Sequence, residues 1–504
     1  MESAMKKFFL TVICLAAAYA AVEAQEISDK AAYTLNIDRA LWYGSGNAAG
    51  LARTEASPWR NATAAYGLQS GTFTNSWEAR SQTDFGVSGS TLLDLNGFKL
   101  AAAVCFDRES LRKAMYNNSL FDLSWDMPFF VAVSSPETFR WGRTSAGMDL
   151  QVASPLLFGD MLSLGMGLRA DFKHAAKHSD PRSRFNGLEL EISPSATVAL
   201  SDENTLGVSL RYILSPSQSR LYTRGDDAVS VALMQGLGYY SPRWVGGSIG
   251  LEMLGYNGNA FGAGLQYNRK GSYADWLISA GILKGSTSVV ADKVALGSVD
   301  KILTELSADG LMGDSRNRRL SLGLKYDLNY WLNGATSPST VGRGHQIDAK
   351  LDYTVYTGAS EDHGFDWLLG GGLYFDMMNL KRYTPDASLG VIRVMPNVFL
   401  GKDTAITAES SLLVRMDLGY NFSAKARYKY QGDISESDYI VNHMFDDETD
   451  YLGAYWLRSA LEATYTYHLN SMLAPYAGLK AVLVSPMGQK KSRFAAGLSV
   501  GVFF

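Results

Sequence analysis

The chain has 504 residues and a formal net charge of −4, which argues against a nucleic-acid partner. Glycine (49 residues) and tyrosine (27) are abundant, while proline (13) and cysteine (2) are scarce. Beyond the N-terminal stretch no run of about 18 apolar residues occurs, so no membrane-spanning helix is expected.

Lys6 and Lys7 precede an uncharged run from Phe8 to Ala21, followed by Val22-Glu23-Ala24. A basic start, an apolar run and small residues at a cleavage position predict a secretory signal peptide over residues 1–24, with cleavage after Ala20 as the alternative. Cys14 would leave with it. The mature chain then keeps only Cys105, which excludes an internal disulfide and a cysteine-based metal site. An N-terminal segment, 25–60, comes next, placed in the periplasm or as a plug. The rest, 61–504, carries one repeating pattern.

That pattern has period two. In Met161–Phe172, Leu162, Leu164, Met166, Leu168, Ala170 and Phe172 alternate with Ser163, Gly165, Gly167, Arg169 and Asp171. Leu320–Tyr330, Ile347–Val355 and Phe422–Tyr430 alternate in the same way. Each is a strand with one apolar and one polar face. Strands of soluble sandwiches are usually about 5–6 residues, whereas these run about 10–13, enough for the 9–11 that cross a bilayer. Tyr330, Trp331, Tyr428, Tyr430, Trp456, Tyr465 and Tyr467 gather at strand ends, as aromatic girdles do. Backbone groups in lipid must all be paired, so the sheet must close. The fold expected is all-β: a single transmembrane antiparallel β-barrel.

About ten strands are read up to Leu283 and about nine from Arg319 onward, with Gly285–Arg318 as a loop in which Lys301–Leu306 is helical. Bacterial barrels have an even number, so about 18 strands are expected, within a range of about 14–20. Short turns at Ser201–Glu203 and Leu469–Ser471 fall on the periplasmic side. Ser110–Gly142, His174–Asn186 and Gly432–Tyr455 read as long outer loops.

The polar faces would line the lumen with Arg169, Asp171, Arg211, Lys325, Asp327, Asp348, Lys350, Asp352, Lys425, Arg427 and Lys429. The Ser110–Gly142 loop carries Phe121, Trp125, Phe129, Phe130 and Trp141, an apolar set that either folds into the lumen or docks a partner. His174 and His178, beside Asp171 and Asp180, sit at a strand end rather than on a helix face, and no metal is expected there. The acidic run Asp433–Asp450 reads as a solvated outer loop, with a hard cation such as calcium as the alternative. Gly497-Leu498-Ser499-Val500-Gly501 has the spacing of a nucleophile elbow but no helix to follow it. His468 faces the lumen side with no serine partner at a telling spacing. No catalytic residue and no cofactor are expected.

Three stretches carry resemblances. Trp42–Ala52, "WYGSGNAAGLA", resembles the N-P-A-G-L segment of the FadL and PorV class, with Ala48 in place of the proline; the resemblance implies a hatch in the barrel mouth. The stretch from Gly71, "GTFTNSWEARSQTDFGVSGSTLLDLNGFKLAAAVCFDRE", and "DPRSRFNGLELEISPSATVAL" from Asp180 resemble a Bacteroidota outer-membrane barrel family; matching positions include Asp180, Pro181, Arg182, Leu188, Glu189, Leu190 and Pro194. That family implies a fold and the outer membrane but no substrate. The final strand, with Leu498, Val500, Val502 and Phe504 on one face, resembles the signal strand that the barrel assembly machinery recognises.

Together these point to an outer-membrane pore or uptake channel for small or apolar solutes, in contact with outer-membrane lipid. The alternatives are a non-transporting scaffold for a surface lipoprotein or a TonB-dependent receptor, and, more remotely, a barrel enzyme.

Overall fold

Eighteen strands pair edge to edge until the sheet closes on itself. The computed structural model describes residues 29–119, 129–134, 137–224, 227–246, 252–334, 339–359, 364–435, 438–470 and 473–504, with backbone alone at 129 and 130. The expected signal peptide lies outside the described residues, as do Phe121 and Trp125.

In chain order the strands are β1 (Trp59–Gly71), β2 (Ser81–Leu95), β3 (Phe98–Ala114), β4 (Phe129–Val133), β5 (Phe139–Ala153), β6 (Leu162–Lys177), β7 (Arg182–Ala199), β8 (Asn204–Tyr222), β9 (Val229–Gln235), β10 (Tyr240–Val245) and β11 (Met253–Lys270). They continue as β12 (Ala274–Ala291), β13 (Val294–Met312), β14 (Arg318–Asn333), β15 (Ser339–Thr357), β16 (Trp367–Arg382), β17 (Ala387–Thr407), β18 (Ser410–Tyr430), β19 (Trp456–Tyr467), β20 (Ala474–Pro486) and β21 (Arg493–Phe503). All but β4, β9 and β10 form the wall. Each wall strand is antiparallel to its neighbours, and β1 closes the ring by pairing with both β2 and β21. Among the described residues two α-helices accompany this pattern: α1 (Lys30–Arg39) ahead of β1, and α2 (Phe445–Gly453) between β18 and β19.

Closure follows from the alternation. Leu322, Leu324, Leu351, Leu373, Val398, Leu400, Met416 and Leu418 are exposed on the outer face, forming an apolar belt of the kind that transmembrane barrels present to lipid. The wall strands run from 11 to 21 residues, and most exceed the about 9–11 a bilayer needs. Their surplus projects beyond the belt at the end away from the start of β1. There the outer face turns polar, with Asn257, Ser288 and Asp300 among the outward positions. We call this the far end, and the end where β1 starts and β21 stops the near end.

Two differences from the sequence reading have local causes. Lys301–Leu306 belongs to β13, a wall strand, and not to a helical turn in a loop. Its hairpin with β12 turns on Asp292 and Lys293, both at positive φ (46° and 73°). Such a two-residue turn usually advertises itself with Asn-Gly or Asp-Gly, and here no glycine marks it. His174–Asn186 is not a long loop either: β6 runs through to Lys177 and β7 resumes at Arg182.

The strands β10, β9 and β4 make a second sheet, in that order, inside the far end. Val231, Ala232, Leu233 and Met234 of β9 and Val131–Val133 of β4 are buried there. They join one apolar core with inward side chains of the wall, including Leu254, Tyr256, Val289, Trp331, Leu380 and Leu389.

Candidate functional site

The barrel interior is the candidate site, and it has three levels. At the near end the N-terminal segment crosses the lumen. Asp29 starts α1: its carboxylate accepts from the Ala31 backbone N–H at 2.6 Å, as an N-cap does, and from the Ser411 hydroxyl of β18 at 2.7 Å. Asp38, near the other end of α1, accepts from Arg319 of β14 at 2.9 Å and from the Tyr356 hydroxyl of β15. Arg319 also donates to Asp309 of β13 at 3.1 Å, so one guanidinium ties the helix to two wall strands. Ala31 and Leu35 pack on Tyr356, Phe365 and Leu368. Tyr33 lies against Trp59 and Phe503, with ring centroids 5.8 and 5.2 Å away. Burial holds the Lys30 ammonium below the ordinary lysine range, against the opposing pull of Glu462.

Past α1 a 3₁₀ turn, Ala48–Arg53, lies on the opposite wall. The Ala49 N–H donates to Ser195 of β7 at 3.0 Å, and Ser163 of β6 donates to the Ala49 carbonyl at 3.1 Å. Asn47 donates to Gln266 of β11 at 2.9 Å. The approach is close because Gly165 has no side chain: a Cβ there would stand 2.1 Å from the Ala49 nitrogen. The segment thus meets strands on both sides of the ring.

The middle level is charged with both signs. Arg211 of β8 pairs with Glu191 of β7 at 2.8 Å. It also lies 3.7 Å from Glu305 of β13, across the two intervening wall strands. Arg169 pairs with Asp171 (2.8 Å), Lys301 with Asp327 (2.6 Å) and Arg415 with Asp417 (2.9 Å), and Arg393 with Asp376. The Tyr374 hydroxyl donates to Asp348 at 2.6 Å. Part of this level stays open to water although it faces inward: Lys350 is 63% exposed, Arg169 54% and Glu305 48%, while Asp327 and Asp376 are buried.

At the far end the inner sheet and α2 occupy the lumen. Phe445 stacks on Tyr428 at 4.6 Å with the rings 11° apart. The buried Glu448 carboxylate accepts from the Ser76 N–H at 2.8 Å, fastening α2 to the β1–β2 connection. Burial pushes the Tyr116 phenol, just after β3, up to about 12. The apolar filling rests on β8 and β11–β18, while the facing wall of β1–β3 and β21 directs the polar Gln82, Glu109 and Arg493 inward there, beside Leu111 of β3.

Arg169, Asp171, Arg211, Lys325, Asp327, Asp348, Lys350 and Asp352 all sit on the inner face, several directly opposite one another, as Lys325 is to Asp348. Lys425, Arg427 and Lys429 do not. A β-bulge skips Ala424: Arg393 pairs with Ser423, but its neighbour Ile392 pairs with Lys425. One extra residue flips every side chain beyond it. Ala426, Tyr428 and Tyr430 therefore pack inward and the three cations point outward, all exposed.

Trp141 is an inward, buried residue of β5, clustered with Leu111, Phe139 and Phe185. The backbone of Phe129 and Phe130 belongs to β4, inside the lumen. Leu498, Val500 and Val502 face outward on β21, and Phe504 follows the strand, its N–H bound to the Arg60 carbonyl. His174 faces outward and meets Asn186 at 2.9 Å. The acidic run folds in part as α2, with Glu448 turned inward. Among the described residues no group of three or more His, Cys, Asp or Glu side chains is placed to hold a metal ion.

Sequence reasoning missed Asp38, Glu305 and Asp376. Glu305 had a signal, since it lies on the polar face of β13 once that strand is recognised. Asp38 had none, because its partners lie nearly 300 residues away in sequence.

Among solved structures, the chain is similar to BauA, the ferric preacinetobactin receptor of Acinetobacter baumannii, with 8% identity and a TM-score of 0.38, over 89% of this chain and 80% of that one. It is similar to Pseudomonas aeruginosa FpvA bound to a heterologous pyoverdine, with 9% identity and a TM-score of 0.42, over 88% and 72%. It is also similar to the P. aeruginosa outer membrane protein opdK, with 10% identity and a TM-score of 0.34, over 89% and 99%. No curated protein matches the chain. The sequence profile of one family, described as a family of unknown function (DUF6850), matches residues 48–504, and the chain belongs to that family.

Proposed function

We propose that this protein is an outer-membrane transport barrel whose lumen is gated rather than standing open, and that it catalyses no reaction. The observation that carries this reading is the wet, two-signed charge of the middle level, lying between the N-terminal segment and the far-end filling. A barrel that served only as a rigid scaffold would have no use for a hydrated interior. A small polar or zwitterionic solute would find partners of either sign there, which narrows the class away from purely apolar cargo. In this reading residues 29–58 are the near-end gate, in keeping with the hatch-like stretch Trp42–Ala52, and the polar wall of β1–β3 and β21 is the path past the far-end filling.

The gate is held by the polar contacts Asp29–Ser411, Asp38–Arg319 and Asn47–Gln266 together with the apolar packing of Ala31, Leu35 and Leu51. Exchange for water costs about 0.5–1.5 kcal/mol for a neutral bond such as Asn47–Gln266 and about 1.5–3 kcal/mol for the two that involve a carboxylate. The apolar core at the far end favours a second reading: a barrel that presents a fixed outer cap to a surface lipoprotein or a TonB-dependent receptor.

Planar-bilayer conductance separates the two. The full chain should conduct weakly, and Asp38→Asn combined with Arg319→Gln, or deletion of residues 29–53, should raise conductance at least several-fold. Silence in every variant, including one that also lacks β9 and β10, would sink the transport reading and leave the cap-presenting one.

A further inference from the structure

The bulge in β18 has a consequence on the outside of the barrel. Below it, the outward side chains of β18 are apolar: Met416, Leu418 and Phe422 are all exposed. Immediately beyond Phe422 the outward positions become Lys425, Arg427 and Lys429. The change from apolar to cationic takes one pleat.

Neighbouring strands extend the patch at the same height. Lys429 and Lys381 of β16 both pair with Ser388 of β17, and Lys381 pairs in turn with Arg343 of β15. Adjacent strands lie about 4.8 Å apart, so Lys429, Lys381 and Arg343 form a row roughly 15 Å long, with Lys425 and Arg427 descending from one end toward the belt. All five side chains are exposed. Counter-charge is sparse. Asp386 lies 3.8 Å from Lys381, and Asp300, beside the row on β13, is engaged by the Ser286 hydroxyl at 2.7 Å. No described carboxylate lies within ion-pair distance of Lys425, Arg427, Lys429 or Arg343.

We infer that this outward row of cations, set directly above the apolar belt, binds the phosphate groups of a phosphorylated glycolipid in the outer leaflet. The inference rests on the outer-membrane reading above. A lipid chain lying along Leu418 and Phe422 would bring its headgroup to Lys425, and two or three phosphate oxygens could each be met by a different cation. Phosphate held by Lys and Arg gains charge-assisted hydrogen bonds, and juxtamembrane cations attract anionic lipid in this way. Between the cations Gly390, Ser388 and Asn379 offer a protein partner no apolar anchor, and the exposed aromatic beside the row, Tyr330 opposite Arg343, is of the amphipathic kind that sits at headgroup level.

The test uses the full chain purified in detergent and titrated with lipid A, or with lipid A stripped of its phosphates, under native mass spectrometry. Lipid A should bind the wild-type protein, and the stripped lipid should bind far more weakly. The triple variant Lys425→Gln, Arg427→Gln, Lys429→Gln should lose about fivefold in affinity for each cation removed. Lys490→Gln with Lys491→Gln, in the β20–β21 connection at the same end, should bind as wild type does. Heat-modifiable migration of each variant reports folding, and Lys429→Gln alone serves if the triple variant does not assemble. Equal affinity for the two lipids, or an unchanged triple variant, overturns the inference while leaving the barrel in place. A chain that fractionates away from the outer membrane removes the reading beneath it instead.

Discussion

Ile392 of β17 stands opposite Lys425 of β18, while the next residue, Arg393, stands opposite Ser423. This single offset assigns Tyr428 to the core and Lys425 to the outside, and the two residues should respond accordingly. Tyr428→Ala removes a ring stacked on Phe445 and should destabilise the far-end filling by about 2–4 kcal/mol. Lys425→Ala should stay within about 0.5 kcal/mol. Urea unfolding from detergent checks both, and equal costs would mean that the bulge does not exist.

The belt makes a second pair. Leu322→Arg places a charge against lipid and should cost about 2–4 kcal/mol if it lies near the bilayer midplane. Gly323, its neighbour, faces inward, and a Cβ there would meet nothing closer than the Lys350 Cβ at 3.9 Å. Gly323→Arg should therefore be markedly milder. Reversible folding into phospholipid vesicles measures the difference, and a costlier inward arginine would reverse the face assignment.

Phe503 is the inward residue at the foot of β21, 1% exposed, with its ring against Tyr33 and Tyr476. Deleting Val502–Phe504 removes this contact and the last pairs with Ala62, Asn61, Pro475 and Ala474. The truncated chain should fail to assemble in cells. Phe503→Ala should assemble but leave α1 loosely held, seen as faster amide exchange over Lys30–Arg39. Unchanged exchange would detach the gate from the closing strand.

Asp446, on the exposed side of the first turn of α2, has its carboxyl raised by partial desolvation first and then by Asp450 and Asp447. A raised carboxyl disfavours its charged form when folded. The stability it contributes is complete below its unfolded pKa and is lost as pH rises through the raised value. Asp446→Asn should thus slow amide exchange in α2 at neutral pH. The gap from wild type should close as pH falls through the carboxylate range, and a gap that widens on acidification would contradict this sign.

Much of this molecule could be read from residue order alone. The alternation in Met161–Phe172 and Leu320–Tyr330 depends only on where successive Cβ atoms point along an extended chain, so the closed all-β wall followed from it, as did the shared face of Arg169 with Asp171 and of Lys325 with Asp327. Three things did not. The Asp292-Lys293 turn carries no glycine, so β13 had no visible boundary. Residues 229–245 hold the unbroken apolar run Val231–Met234, buried throughout, and only the company it keeps sends it into the lumen as β9 instead of into the wall. The bulge at Ala424 exists because β18 must match β17, whose register is set by its other neighbour, and a single strand's sequence contains no record of its partner's register. The near-end contacts are of the same kind. Asp38 is an ordinary helical aspartate until closure of the ring brings Arg319 and Tyr356 to it. Local periodicity fixes which side chains share a face along an unbroken strand, but the pairing of distant segments decides where that face turns at a bulge and what each side chain meets.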